Sequence, residues 1–233
     1  VDKKPRPAII VADVRAGGHL LTCALSNHPQ IFCVREEPLH RKSVWRLVPL
    51  KVVLAVILQQ RYYEVSMCKL TASHILRPAI WKQVVDYKPS LRVLYLEREN
   101  LMEQVASDVI NNMHLEGHPT HTMHTMHTFE QPALPPVTLK PKDILASSKG
   151  ILQRRVEVRR RLKSSKLPVL YLTYEELTAG AEVSCLPKKV TDKICTFLEV
   201  DCSPLCTNMR KVHSKPYSEF VSNWDEICTI RLG

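Results

Sequence analysis

Five short runs rich in β-branched and other apolar residues alternate with longer helical patterns along this chain. They are Ala8–Ala12, Ile31–Val34, Val65–Leu70, Arg92–Glu97 and Val169–Thr173, and no other feature limits the fold so strongly. The alternation predicts an α/β fold with a mainly parallel central sheet flanked by helices. Helices are expected at about 18–27, 43–60, 74–86, 100–115, 142–165, 187–198 and 217–228. With 233 residues, 45% of them hydrophobic and 24% charged, the chain suits a single domain over 1–233 with a packed core. Residues 116–141 break the pattern. The stretch EGHPTHTMHTMHTFEQPALPPVTLKP carries five prolines and a short HTM repeat, and reads as a lid or surface insertion.

In a parallel sheet, ligands sit beyond the carboxyl ends of the strands, where helices begin. Arg15–Leu21, Glu36–Pro38 and Arg98–Asn100 each follow a predicted strand, so they should converge on one rim. In VADVRAGGHLLTCALSNHP, Gly17 and Gly18 permit positive φ and close backbone approach to an anion. The helix that follows adds free N–H groups and its positive dipole end, and Arg15 adds a bidentate cation. No Walker GxxxxGK[ST] pattern is present, which argues against a kinase or NTPase.

The formal charge of +10 favours anionic partners without choosing among nucleotides, sulfated glycans, nucleic acid and acidic membrane surfaces. The cluster QRRVEVRRRLKSSK at 153–166 gives nucleic acid some support. Helical spacing scatters its arginines, however, so a solvated helix face is the expectation, and no specific nucleic-acid partner is expected. Eight cysteines form no CxxC pair and no zinc-ligand set, and an even count permits disulfides without assigning any. Cys23, Cys33 and Cys68 read as small core residues. His118, His121, His124 and His127 are spaced three apart, but the prolines and threonines around them argue against a helix, and no metal site is expected. The longest apolar run, Val52–Leu58, is too short to span a bilayer.

Taken in order, several stretches resemble the sulfotransferases that use 3′-phosphoadenosine-5′-phosphosulfate (PAPS), and in particular their carbohydrate branch. The residues concerned are R-x-G-x-x-L-L from Arg15, Glu37-Pro38 after a short strand, and R-x-N-x-x-x-Q-x-x-S at Arg98, Asn100, Gln104 and Ser107. LTYEEL, ICTFLEVD and the C-terminal NMRKVHSKPYSEFVSNWDEI complete the set, so the likeness runs from about Ile9 to Ile227 with 116–141 unmatched. The resemblance implies a P-loop-like sulfotransferase fold. It also implies that PAPS is the donor, that 3′,5′-adenosine bisphosphate (PAP) is a product, and that a carbohydrate hydroxyl or amine is the acceptor.

The donor's phosphosulfate would lie on Arg15, Ala16, Gly17, Gly18, His19 and Leu20. Its 3′-phosphate would lie on Arg98 and Ser107, with Arg210, Lys211 and Lys215 folding over the nucleotide. Glu37 would be the general base, with Glu36 as fallback, and Arg15 and Lys69 would attend the transferring group. Asn223 and Trp224 would lock the last helix to the body. The family's loop usually carries Ser or Thr where this chain has Ala16, Gly18 and His19; His19 and Thr22 are the nearby replacement donors. The departure motivates a rival reading, a binding protein of the same fold with impaired transfer. Read without the family, Arg98 would pair with Glu97 or Glu99 and Lys69 would be solvated. If an N-terminal anchor preceded Val1, the Golgi lumen is the expected location; otherwise it is the cytoplasm.

Overall fold

The computed structural model describes residues 5–35, 50–57, 60–86, 91–117, 136–180, 185–208 and 216–232. Its contacts divide the chain into two compact units. One comprises Val1–Glu99 with Arg154–Thr207, and the other Asn100–Gln153 with Asn208–Gly233.

The first unit holds five strands: β1 (Arg6–Ala12), β2 (Ile31–Val34), β3 (Val65–Thr71), β4 (Arg92–Glu97) and β5 (Val169–Thr173). They form one sheet in the order β2-β3-β1-β4-β5, and every neighbouring pair is parallel. Each strand expected from the sequence is present within two residues of its expected bounds. Alternation along β1 explains why the sheet is buried on both faces. Ala8, Ile10 and Ala12 pack with Leu21 and Leu25 of α1 (Gly18–Ser26) and with Val190, Ile194 and Leu198 of α8 (Lys188–Leu198). Ile9 and Val11 face the other way. They join Ile57 of α2 (Leu50–Ile57), Ile75 of α3 (Ala72–Ile75), Val84 of α4 (Pro78–Asp86), and Val158 and Leu162 of α6 (Pro141–Ser165).

Two expected helices differ from the structure. The pattern at 74–86 is broken after Ile75, because Pro78 takes the first position of a new helix, where its missing N–H costs nothing. The pattern at 217–228 is a 3-10 turn, Tyr217–Glu219, followed by α9 (Trp224–Cys228). Between them Val221 is drawn into a parallel bridge with Val137, which keeps that stretch out of a helix. A further short helix, α7 (Tyr174–Thr178), starts on a capping box in which Thr173 and Glu176 satisfy each other's backbone N–H groups.

The second unit contains α5 (Leu101–Gly117), the first half of α6 and α9. Asn223 binds both backbone groups of Leu139, accepting its N–H at 3.0 Å and donating to its carbonyl at 2.8 Å. Trp224 stacks on Tyr217 at 5.4 Å between ring centroids. Both residues anchor the last helix, as the sequence suggests. Cys23, Cys33 and Cys68 are buried free thiols, as expected, and Cys185 and Cys206 are disulfide-bonded. Among the described residues no helix is long and apolar enough to cross a membrane.

Candidate functional site

A parallel sheet puts every strand's carboxyl end on one edge. β1 leads into Asp13–Gly17, β2 into Arg35, β3 into Ala72, β4 into Arg98 and β5 into Tyr174. β1 and β4 are neighbours, yet the chain leaves β1 towards β2 at one end of the sheet and leaves β4 towards β5 at the other. Such a divergence opens a crevice for a ligand.

The loop after β1 is built as an anion cradle. Arg15 (φ 55°) and Gly17 (φ 85°) both adopt left-handed backbone, so the chain turns sharply into α1. Gly17 is the N-cap and offers no side chain to the first helical N–H groups. Both glycines are packed closely. A Cβ on Gly17 would lie 2.5 Å from Cδ2 of Tyr174, and one on Gly18 would lie 2.9 Å from Cβ of Ala12 and 3.2 Å from Cδ of Lys69. Lys69, at the penultimate–but-one position of β3, is therefore laid along the loop by its stem.

Charge at this edge is mostly cationic. Burial, then the charges of Lys69 and Arg35, hold the His19 imidazole below its usual range, so at neutral pH it is uncharged. Arg98 is buried and crosses the Tyr174 ring with its guanidinium carbon 4.6 Å from the centroid. Its Nε lies 4.0 Å from Oε1 of Glu175, whose other oxygen accepts the Glu99 N–H at 2.9 Å. Tyr174 thus touches both the β1 loop and the β4 arginine. Arg98 also meets Glu175, a residue that follows β5.

Asp13 opens the loop. Its carboxylate accepts the Val14 N–H at 2.8 Å and Nε of Arg154 at 2.9 Å. The other arginines of α6 are also engaged. Arg155 donates to the Arg98 carbonyl at 2.7 Å, and Arg159 and Arg155 flank the buried Glu97. Arg161 reaches the Ile75 carbonyl, and Arg160 pairs with Glu157. The expectation of a solvated basic face holds for Arg159, Arg160, Lys163 and Lys166, which are exposed, and fails for Arg154, Arg155 and Arg161, which are part-buried. Most of these guanidinium groups hold the sheet edge, because carboxylates and carbonyls at the ends of β1 and β4 face this helix.

The loop's missing hydroxyls have a packing explanation. Ala16 is fully buried, and the space beside Gly18 is taken by Ala12 and Lys69. Thr22 does not replace them: its hydroxyl is buried and donates to the Gly18 carbonyl at 2.6 Å. Leu20 is half-buried in the first turn of α1.

In the second unit, Asn100 caps α5 by accepting the Glu103 N–H at 3.1 Å, and Gln104 and Ser107 are buried on that helix. Glu36, Glu37, Arg210, Lys211, Lys215 and the four histidines lie outside the described residues. Among the described residues no group of side chains is arranged to hold a metal ion. Asp13, Arg35, Arg154 and Tyr174 were missed as site residues by sequence reasoning. Arg35 and Tyr174 each directly follow a strand, and that position was the available signal.

No protein-family model and no curated protein matches this sequence. Solved structures do. The crystal structure of a sulfotransferase from Alicyclobacillus acidocaldarius superposes with a TM-score of 0.51 at 18% identity, covering 90% of this chain and 87% of that one. The fold is that of a sulfotransferase. The sulfotransferase domain of the Synechococcus PCC 7002 olefin synthase is also similar, with a TM-score of 0.48 at 14% identity, covering 99% of this chain and 86% of that domain. In this fold the loop after β1 and the arginine after β4 lie at one edge of the sheet because their strands are parallel neighbours.

Proposed function

We propose that this chain is a PAPS-dependent sulfotransferase acting on a hydroxyl or amine of a carbohydrate. The observation that carries the reading is the edge of the sheet where Tyr174 touches both Gly17 of the β1 loop and Arg98, with the Lys69 stem packed beside Gly18. The cradle fits an anionic donor. Its glycines let Tyr174, Ala12 and the Lys69 stem pack directly against the loop backbone, and the charges that act on His19 there, Lys69 and Arg35, are cationic.

In this reading the donor supplies the sulfuryl group, and the protein orients and neutralises. Arg15 and the first N–H groups of α1, from Gly17 to Leu20, hold the phosphosulfate, and Lys69 lies beside the group in transit. Arg98 and Ser107 hold the 3′-phosphate, and Arg210, Lys211 and Lys215 cover the nucleotide. Glu37 takes the acceptor's proton. A glycan suits the formal charge of +10 when it is itself acidic.

Calorimetric titration with PAP against 5′-AMP tests the donor. Clear preference for PAP supports the reading, and equal or absent binding overturns it. Glu37→Gln tests the chemistry: transfer should fall by a factor of about 100 or more while PAP binding is unchanged. A second reading is favoured by Ala16 and Gly18, which offer no hydroxyl and no room for one. Under it the chain binds PAP and transfers nothing, and binding without turnover across a glycan screen would select it.

A further inference from the structure

Away from the sheet edge, α8 ends in a reversal that brings two free thiols together. Glu199 adopts left-handed backbone (φ 56°, ψ 46°). The Val200 N–H then reaches back to the Cys195 carbonyl at 3.1 Å, and the Glu199 N–H reaches the Thr196 carbonyl at 3.2 Å. This paired closure turns the chain back over the last turn of its helix. Cys202 is thereby brought back beside Cys195, where the two thiols act on one another, and the Ser203 N–H closes the turn on the Asp201 carbonyl at 3.0 Å. Cys195 is buried and Cys202 is exposed.

The returning segment is held along its length. Asp201 accepts from Gln30 at 2.9 Å, and its own N–H donates to Gln30 at 2.7 Å. The Cys206 carbonyl accepts from Asn27 at 2.9 Å, the Leu186 N–H donates to Leu205 at 2.8 Å, and Cys206 is already cross-linked to Cys185. We propose that Cys195 and Cys202 are a second disulfide site, closed by a small-molecule disulfide such as oxidised glutathione. Closure would cross-link the end of α8 to the segment that supports the turn between α1 and β2. The proposal does not depend on any transferase activity.

The exposed thiol reacts first. The Cys202 thiolate attacks one sulfur of oxidised glutathione, forming a mixed disulfide and releasing one glutathione thiolate. Cys195 then gives its proton to water, and its thiolate attacks the Cys202 sulfur and releases the second glutathione thiolate. Both released thiolates take up protons, so two protein thiols are oxidised and one glutathione disulfide is reduced to two thiols. The second step is the slower one. Burial raises the Cys195 thiol, with Cys202 and Asp192 adding to the shift.

The test is a peptide map. The chain is equilibrated in a buffer of reduced and oxidised glutathione, quenched with acid, alkylated, and cut with trypsin and a glutamyl endopeptidase. Cys185, Cys195 and the Cys202–Cys206 pair then fall on three peptides, 183–188, 194–199 and 200–210. The expected product is all three joined by two disulfides. Peptide 194–199 recovered singly alkylated, with the other two joined, overturns the proposal. The exposed-site variant Cys202→Ser should leave peptide 194–199 alkylated. If that peptide stays joined to 200–210 in the variant, its partner is Cys206 and the assignment is wrong.

Discussion

Alanine at Gly17 must hold a Cβ at φ 85° and 2.5 Å from the Tyr174 ring, which the ring relieves only by leaving Arg98. Gly17→Ala should cost about 1–3 kcal/mol in urea unfolding and remove PAP binding in calorimetry. Gly18→Ser adds a hydroxyl to the loop, yet its side chain would meet Ala12 and Lys69. We expect it to weaken PAP binding, and tighter binding would refute the packing account.

His19 gives a pH signature. Its folded value lies below the usual one, so between that value and about 6.5 the unfolded chain binds more protons. The contribution to stability is therefore complete above about pH 6.5 and declines as pH falls through that window. An anion in the loop opposes the effect of Lys69 and Arg35. NMR titration of His19 should show a midpoint below 6.5 that rises when PAP is added, and an unmoved midpoint would place the anion elsewhere.

At this scale the sequence disclosed Arg15, Gly17, Gly18 and Arg98, because turn glycines and residues that end strands announce themselves locally. It could not disclose Asp13 with Arg154, or Tyr174 between Gly17 and Arg98. Those contacts join residues far apart in the chain, and no local pattern encodes them.

Between elements, the end of β4 and α6 are joined through Glu97. The buried carboxylate accepts from Arg159, lies 3.8 Å from Arg155, and takes the Tyr95 hydroxyl as a donor, which with burial pushes that phenol up. Glu97→Gln leaves those guanidinium groups short of one counter-charge. Arg159 is 56% exposed, so solvent screens part of the effect. A loss of about 1–3 kcal/mol in chemical unfolding is expected. Arg160→Ala removes only a surface pair with Glu157 and should change stability by less than about 0.5 kcal/mol. Similar losses at both positions would mean that α6 is not fastened at Glu97. Elements were the most legible level of the sequence: all five strands were marked by apolar runs. The misread helices failed at particular residues. Pro78 restarts a helix where periodicity runs through, and Val221 is claimed by Val137, a partner that helical spacing cannot reveal. The Thr173–Glu176 capping box that starts α7 was readable, as T-x-x-E at the end of an apolar run.

Across the first unit, protection should follow position in the sheet. β1 lies at the centre and β2 and β5 at the edges, while Ile9, Ile10 and Val11 have no exposed surface. Native-state hydrogen exchange should find β1 amides exchanging only through global opening, and those of β5 and β2 through smaller openings. Uniform protection across the sheet would contradict this order.

Of the five strands of the sheet, the central one is the first to be synthesised. β1 pairs with β3 from Arg6 opposite Val65, and with β4 from Ala8 opposite Arg92. Neither neighbour exists when β1 leaves the ribosome, and pairing of such distant segments is slow. Until β4 has emerged, the nascent chain carries an unpaired apolar strand with two open edges. The position of β1 in the sheet thus leaves both of its edges open to wrong pairing for as long as its neighbours take to emerge.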